Sequence, residues 1–207
     1  PVTLVGRGPH ILVIHPSLPV KSVKELIALA KARSGELNYA STTAGSPLHL
    51  AGELLKSMAR VNIVRVNYQA TGPAVIGLIS GETQLMFPNV NAGMPHVKTG
   101  KLVALAVTTA QPSSLAPGLP TMASSGLPGY DISAADSILA PAKMPPAVMN
   151  RLSQEIIRFL RMPEAREKLL ATGTEVVGST PEELAAVMKS DTTILGKLIK
   201  DAGIKAE

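Results

Sequence analysis

Short apolar runs alternate with capped amphipathic segments along most of the chain, and that order leaves a layered α/β fold as the natural solution. The run Ile11–His15 is closed by Pro16. Ser22 and Glu25 then form a capping box, a spacing that satisfies backbone donors at a helix start. Val23, Leu26, Ile27 and Ala30 follow on one face, and Gly35 lies past the helix end. A strand over Leu37–Ser41 leads through a loop to Ser46 at N-cap and Pro47 at N1 of the next helix. The order repeats with a strand over Ile63–Asn67, a loop over Tyr68–Thr71, and a short helix from Gly72 to Ser80 capped by Thr71. Gln84–Phe87 and Leu102–Thr108 read as further strands. Strands separated by helices imply parallel pairing with right-handed crossovers.

Residues 111–129 are rich in Pro, Gly and Ser and mark a connection between two parts of the chain. Beyond them Tyr130–Ala140 reads as a long strand, Pro146–Leu160 and Pro163–Ala171 as helices, and Thr174–Val177 as a short strand. Thr180 and Glu183 form a second capping box that opens a terminal helix running towards Asp201. With aromatic residues at 2% and hydrophobic residues at 45%, the core must be aliphatic. The chain opens on Pro1-Val-Thr-Leu-Val5, a strand already under way, with no signal peptide before it; the expected start lies inside a longer protein. Ile156, Phe159 and Leu160 then lack a sheet to cover them, and their exposed faces are expected either to support a dimer or to leave this chain less stable than the full-length protein.

Several function classes find no support. There is no cysteine, and the four histidines show no metal-ligand spacing. No G-x-S-x-G elbow, phosphate-binding loop or dinucleotide fingerprint occurs, so neither cofactor nor enzymatic chemistry is expected. Apolar runs such as Leu102–Val107 are far too short to span a bilayer. Residues 1–127 carry ten Lys/Arg against four Asp/Glu, while residues 128–207 carry ten against eleven. The basic first portion is compatible with an anionic ligand but reads equally as an ordinary solvated surface, and its dispersed cations without aromatic neighbours argue against nucleic acid.

In an open parallel sheet, ligands bind beyond the carboxyl ends of the strands. The loops Thr43–Ser46 and Tyr68–Gly72 occupy that position, and each ends in a capped helix with free backbone N–H groups and a positive dipole end. Either loop alone is ordinary helix punctuation; two in succession point to an anion cradle. His49 reads as a packed or partly buried imidazole beside Leu48 and Leu50.

Taken together, Leu18–Leu26, Leu37–Ser41, Gly45–Leu54, Val66–Ala74, Gly100–Thr108, Pro120-Thr121, Gly126–Tyr130, Leu139–Pro141 and Gly178–Glu183 resemble, in order, the tripartite tricarboxylate transporter solute receptors, the TctC-like or Bug family. The resemblance implies a type II periplasmic-binding fold, α/β, with two lobes closing on a small carboxylate or amino-acid-like ligand. It implies no enzymatic activity, a periplasmic location, and membrane components of a tripartite transporter as partners. Residues 9–127 then correspond to a complete second lobe. Residues 1–8 and 128–207 correspond to a hinge strand and the C-terminal part of a first lobe that lacks its N-terminal half.

The family's carboxylate site maps onto Gly45, Ser46, Ala70, Thr71 and Gly72, with the Ser46 hydroxyl and the backbone N–H groups around Thr71 as donors. The sequence departs from the family at Pro88-Asn89, at Gln69 and at Ala135-Asp136, so Asn89 and Asp136 are the candidates for the distal half of the pocket. Asp136 reads equally as a charge at the cleft or as a solvated carboxylate. The competing identity is the effector-sensing domain of a LysR-type transcriptional regulator, which shares the general fold.

Overall fold

The computed structural model describes residues 1–204, and its contacts divide the chain into two compact units. One unit comprises Pro1–Gly8 with Ala134–Gly196; the other comprises Pro9–Ser133 with the described residues from Lys197 onward.

The larger unit is built on a five-stranded sheet in the order β4-β3-β5-β2-β6. Its strands are β2 (Ile11–Ile14), β3 (Asn38–Ser41), β4 (Val64–Asn67), β5 (Leu85–Met86) and β6 (Val103–Val107). β3 pairs in parallel with both β4 and β5, as strands linked by helices should. The expected parallel pairing fails at β2, which runs antiparallel to β5 and to β6. The cause lies in helix α1 (Val23–Ala32): it joins strand ends on the same edge of the sheet, so it returns the chain without crossing over. All four residues of β2 are buried, as befits a strand covered on both faces.

Helices α2 (Pro47–Ala59) and α3 (Thr71–Ile79) are the crossovers from β3 to β4 and from β4 to β5. A further helix, α4 (Val90–Lys98), was not foreseen, because Gly93 and Pro95 inside it are both poor helix formers. Gly93 has a packing reason: a Cβ there would stand 2.9 Å from both Ile11 Cδ1 and Pro88 Cγ, so the helix lies close on β2. The core joins Ile11, Val13, Ala40, Leu78, Met86 and Val107, aliphatic as the composition requires.

The smaller unit has a three-stranded sheet, ordered β7-β1-β8, from β1 (Thr3–Pro9), β7 (Ser133–Ile138) and β8 (Glu175–Val176). The long strand expected from Tyr130 starts three residues later. Tyr130 is instead fully buried, with its hydroxyl donating to the Ala51 carbonyl at 2.7 Å, and Ile132 bonds Thr108. Helices α5 (Pro146–Leu160), α6 (Pro163–Ala171) and α7 (Pro181–Asp201) follow. The capping box of α7 forms as the spacing predicts: Glu183 N–H donates to Thr180 Oγ1, and Thr180 N–H donates to Glu183 Oε2. At α1 the Glu25 carboxylate reaches one residue further back than expected and accepts from Lys21 N–H.

The three apolar residues of α5 expected to lie uncovered behave differently. Leu160 is buried at 3% exposure, whereas Phe159 is 57% exposed. Phe159 and Ile156 line an apolar groove of about 580 Å³, with Val5, Ile138 and Leu169. Leu160 escapes because it turns inward onto Gly178.

Gly52 sets the closest approach in the larger unit. A Cβ there would stand 2.3 Å from the Tyr39 ring, which is fully buried and has nowhere to move. Gly52→Ala is expected to lower stability by about 1–3 kcal/mol, overriding the better helix propensity of alanine. Gly72→Ala, with nothing near its Cβ, should stay within about 1 kcal/mol of the wild type. Chemical denaturation of both variants checks the contrast.

Candidate ligand-binding site

Because β3, β4 and β5 run the same way side by side, their carboxyl ends emerge at one edge of the sheet. Each then enters a helix: Ser46 caps α2, Ala70 is the N-cap residue of α3, and Asn89 caps α4. Gly45, Ser46, Ala70, Thr71, Gly72 and Asn89 therefore share one end of one sheet. Asp136 belongs to the other unit. It lies exposed on β7, where its carboxylate accepts from Thr174 Oγ1 at 3.0 Å.

The first loop is held by its own side chains. Ser46 Oγ accepts from His49 N–H at 3.4 Å and from the Thr42 hydroxyl at 3.1 Å, so its own hydrogen is left for a ligand. Capping and donating are thus compatible in one residue. Gly45 has φ +76°, the left-handed conformation that suits glycine, and its N–H donates to His49 Nδ1 at 3.0 Å. That N–H is engaged within the loop, so Gly45 contributes shape to the cradle and its amide is already used.

In the second loop the expected cap is displaced by one residue. Ala70 takes the extended N-cap conformation without a side-chain bond, and Thr71 is already helical. The N–H groups of Thr71 and Gly72 have no partner among the described residues, and both point out of the first turn. In the third loop Asn89 Oδ1 accepts from Ala92 N–H at 2.8 Å, and Asn89 itself is exposed. Arg65 on β4 ties the first two loops together. Its guanidinium donates to the Thr42 carbonyl and, at 3.0 Å, to Asn67 Oδ1.

Electrostatics distinguish these three helices. α1, α6 and α7 each carry an acidic residue in the first turn that offsets the positive dipole end; α2, α3 and α4 carry none. α5, in the other unit, also lacks one. Three neighbouring helix N-termini without compensating carboxylates make one positive edge.

Beneath that edge lies a polar network that sequence reasoning missed. Glu53, 8% exposed, accepts from the Tyr39 hydroxyl at 2.6 Å and from Lys56 Nζ at 2.8 Å. The spacing of His49, Glu53 and Lys56 along one helix face was the available signal. Among the described residues no group of His, Cys, Asp and Glu is arranged to hold a metal ion.

The sequence matches the tripartite tricarboxylate transporter family receptor over residues 1–204. The chain belongs to that family. It is 31% identical over 207 residues to the UPF0065 protein in the tcbD-tcbE intergenic region of Pseudomonas sp. strain P51. It is also 31% identical over 205 residues to protein BugT of Bordetella pertussis. The chain spans 62% and 63% of the length of these two relatives. Among solved structures, R. palustris Rpa4515 with adipate superposes with a TM-score of 0.84 at 33% identity, covering all of this chain and 69% of that one. The periplasmic binding protein BugD superposes with a TM-score of 0.80 at 28% identity, covering 100% and 70%. The α/β fold is thus that of the periplasmic solute-binding members of the family, which are not enzymes.

All three tyrosines of the chain hold their protons tightly. Burial, reinforced by Glu53, pushes the Tyr39 hydroxyl well above its ordinary 10.0; burial alone does the same at Tyr130; and burial with the nearby Glu82 carboxylate raises Tyr68 to about 12. A tyrosine that stays protonated when folded but ionises near 10 when unfolded leaves stability unchanged below that pH. Stability then falls as pH rises, by about 1.4 kcal/mol per unit for each fully buried hydroxyl. Denaturation across the alkaline range should show this decline beginning near pH 10, with no tyrosinate absorbance until the fold is lost or pH nears 12.

Proposed function

We propose that the protein is an extracytoplasmic solute receptor that binds a small carboxylate and delivers it to the membrane components of a tripartite transporter. The observation that carries this reading is the set of three adjacent helix N-termini, α2, α3 and α4, with no first-turn acid among them. A carboxylate there meets the Ser46 hydroxyl and the unpartnered N–H groups of Thr71 and Gly72. Family membership supports the receptor over the effector-sensing domain of a transcriptional regulator, since the match runs through residues 1–204. That a relative at 33% identity was solved with adipate supports a dicarboxylate as the ligand class. No helix among the described residues is long and apolar enough to cross a membrane. In this reading the larger unit is one lobe, the smaller unit belongs to the other, and Asn89 tunes the far end of the ligand.

Calorimetry with adipate tests the site. Ser46→Ala removes one donor to a charged group, worth roughly 1.5–3 kcal/mol, so affinity should fall on the order of tenfold or more. The same change removes a helix cap and should lower stability by about 1 kcal/mol, so melting is measured alongside. A lowered melting temperature with unchanged affinity would mean that Ser46 is only a cap. The apolar groove at Phe159 is the proposed surface for self-association. Phe159→Glu is expected to abolish any concentration-dependent dimer seen in sedimentation; a wild type that stays monomeric at high concentration removes that part of the proposal.

A further inference from the structure

His49 is buried at 4% exposure on α2, and its imidazole is turned towards the loop rather than into the aliphatic core. Nδ1 accepts from the Gly45 N–H at 3.0 Å, so the ring hydrogen resides on Nε2. Nε2 faces Glu53 Oε1 at 3.8 Å, and that oxygen is itself fixed by the Tyr39 hydroxyl and the Lys56 ammonium. The main chain of the same residue donates to Ser46 Oγ. One residue therefore grips two consecutive loop positions, Gly45 by its ring and Ser46 by its backbone.

We infer that His49 is a positioning residue for the anion cradle: its neutral, Nε2-protonated imidazole, oriented by Glu53, holds Gly45 in the left-handed turn that aims the Ser46 hydroxyl at the ligand. The physical need is specific. The turn is closed by the Ser46 N–H, which donates to the Thr43 carbonyl at 3.0 Å, and with nothing within 4 Å of a Gly45 Cβ the bond from the Gly45 N–H to His49 Nδ1 is what ties it to α2. Without that acceptor the Gly45 amide is released to solvent, the turn samples other conformations, and the Ser46 hydroxyl loses its fixed direction. Glu53 acts one step behind, by selecting the tautomer, in the way that outer partners orient a ligating histidine at metal sites. For its effect on binding the inference rests on the carboxylate-receptor reading; for the loop geometry it stands alone.

Nitrogen-15 NMR separates the two. In the wild-type protein His49 Nδ1 should appear unprotonated, with a scalar coupling to the Gly45 amide across the hydrogen bond. His49→Leu should speed hydrogen exchange at the Gly45 amide at least tenfold and weaken adipate binding by roughly tenfold. His49→Asn, whose side-chain oxygen stands near the place of Nδ1, should recover most of both. A protonated Nδ1 with no coupling overturns the inference even if His49→Leu fails to fold. Unchanged Gly45 exchange in His49→Leu, or a His49→Asn variant as impaired as His49→Leu, overturns it as well. A wild type that binds no adipate counts against the receptor reading alone, because the coupling and the exchange rates still decide the role of His49.

Discussion

Parallel pairing of β3 with both β4 and β5 is the constraint from which the candidate site follows. Parallel neighbours oblige the chain to cross back over the sheet between strands, and α2 and α3 are those crossovers. Their starts must then lie where the strands end. Each helix start leaves backbone N–H groups without intrahelical partners, so donors accumulate along one edge of the sheet. Elsewhere the chain offsets such donors with acids, at Glu25 in α1 and at Glu182 and Glu183 in α7. At the starts of α2, α3 and α4 it places Pro47, Gly72 and Asn91 and no acid, and the positive potential stays available to a ligand.

The support beneath this edge is polar, in a unit whose core is largely aliphatic. A carboxylate as buried as Glu53 is unfavourable without partners, and the Tyr39 hydroxyl and Lys56 ammonium both donate to its Oε1. Tyr39 in turn needs Gly52 to have no side chain, since its ring lies where a Cβ would stand. Strand β3, helix α2 and the Thr43–Ser46 loop are thereby coupled through named contacts: Tyr39 to Glu53, Glu53 to His49, and His49 to Gly45. Arg65 extends the coupling to β4 by bonding both Thr42 and Asn67.

Periodicity and capping made most of this legible. The strands at Ile11, Leu37 and Ile63, the Ser46-Pro47 helix start and the Thr180–Glu183 capping box stand where spacing puts them, because local backbone demands decide such features. The misses share a non-local cause. α4 was hidden by Gly93 and Pro95; Gly93 is there because close packing on Ile11 requires a residue without Cβ. β2 runs antiparallel because of how α1 connects, which no window of residues reveals. Thr71 looked like a cap by residue type, yet the chain bends one residue earlier, at Ala70. His49 looked like an ordinary core histidine, since its Gly45 partner becomes apparent only once the loop turns back through a positive φ.

The central claim is that the three helix starts act together on one anion. Titration of the nitrogen-15-labelled protein with adipate tests it most directly. The account predicts that the amides of Thr71 and Gly72 at α3, Leu48 at α2 and Val90 at α4 shift together along one saturable curve. Shifts confined to a single loop, or amides at all three helix starts unmoved at saturating adipate, would contradict it.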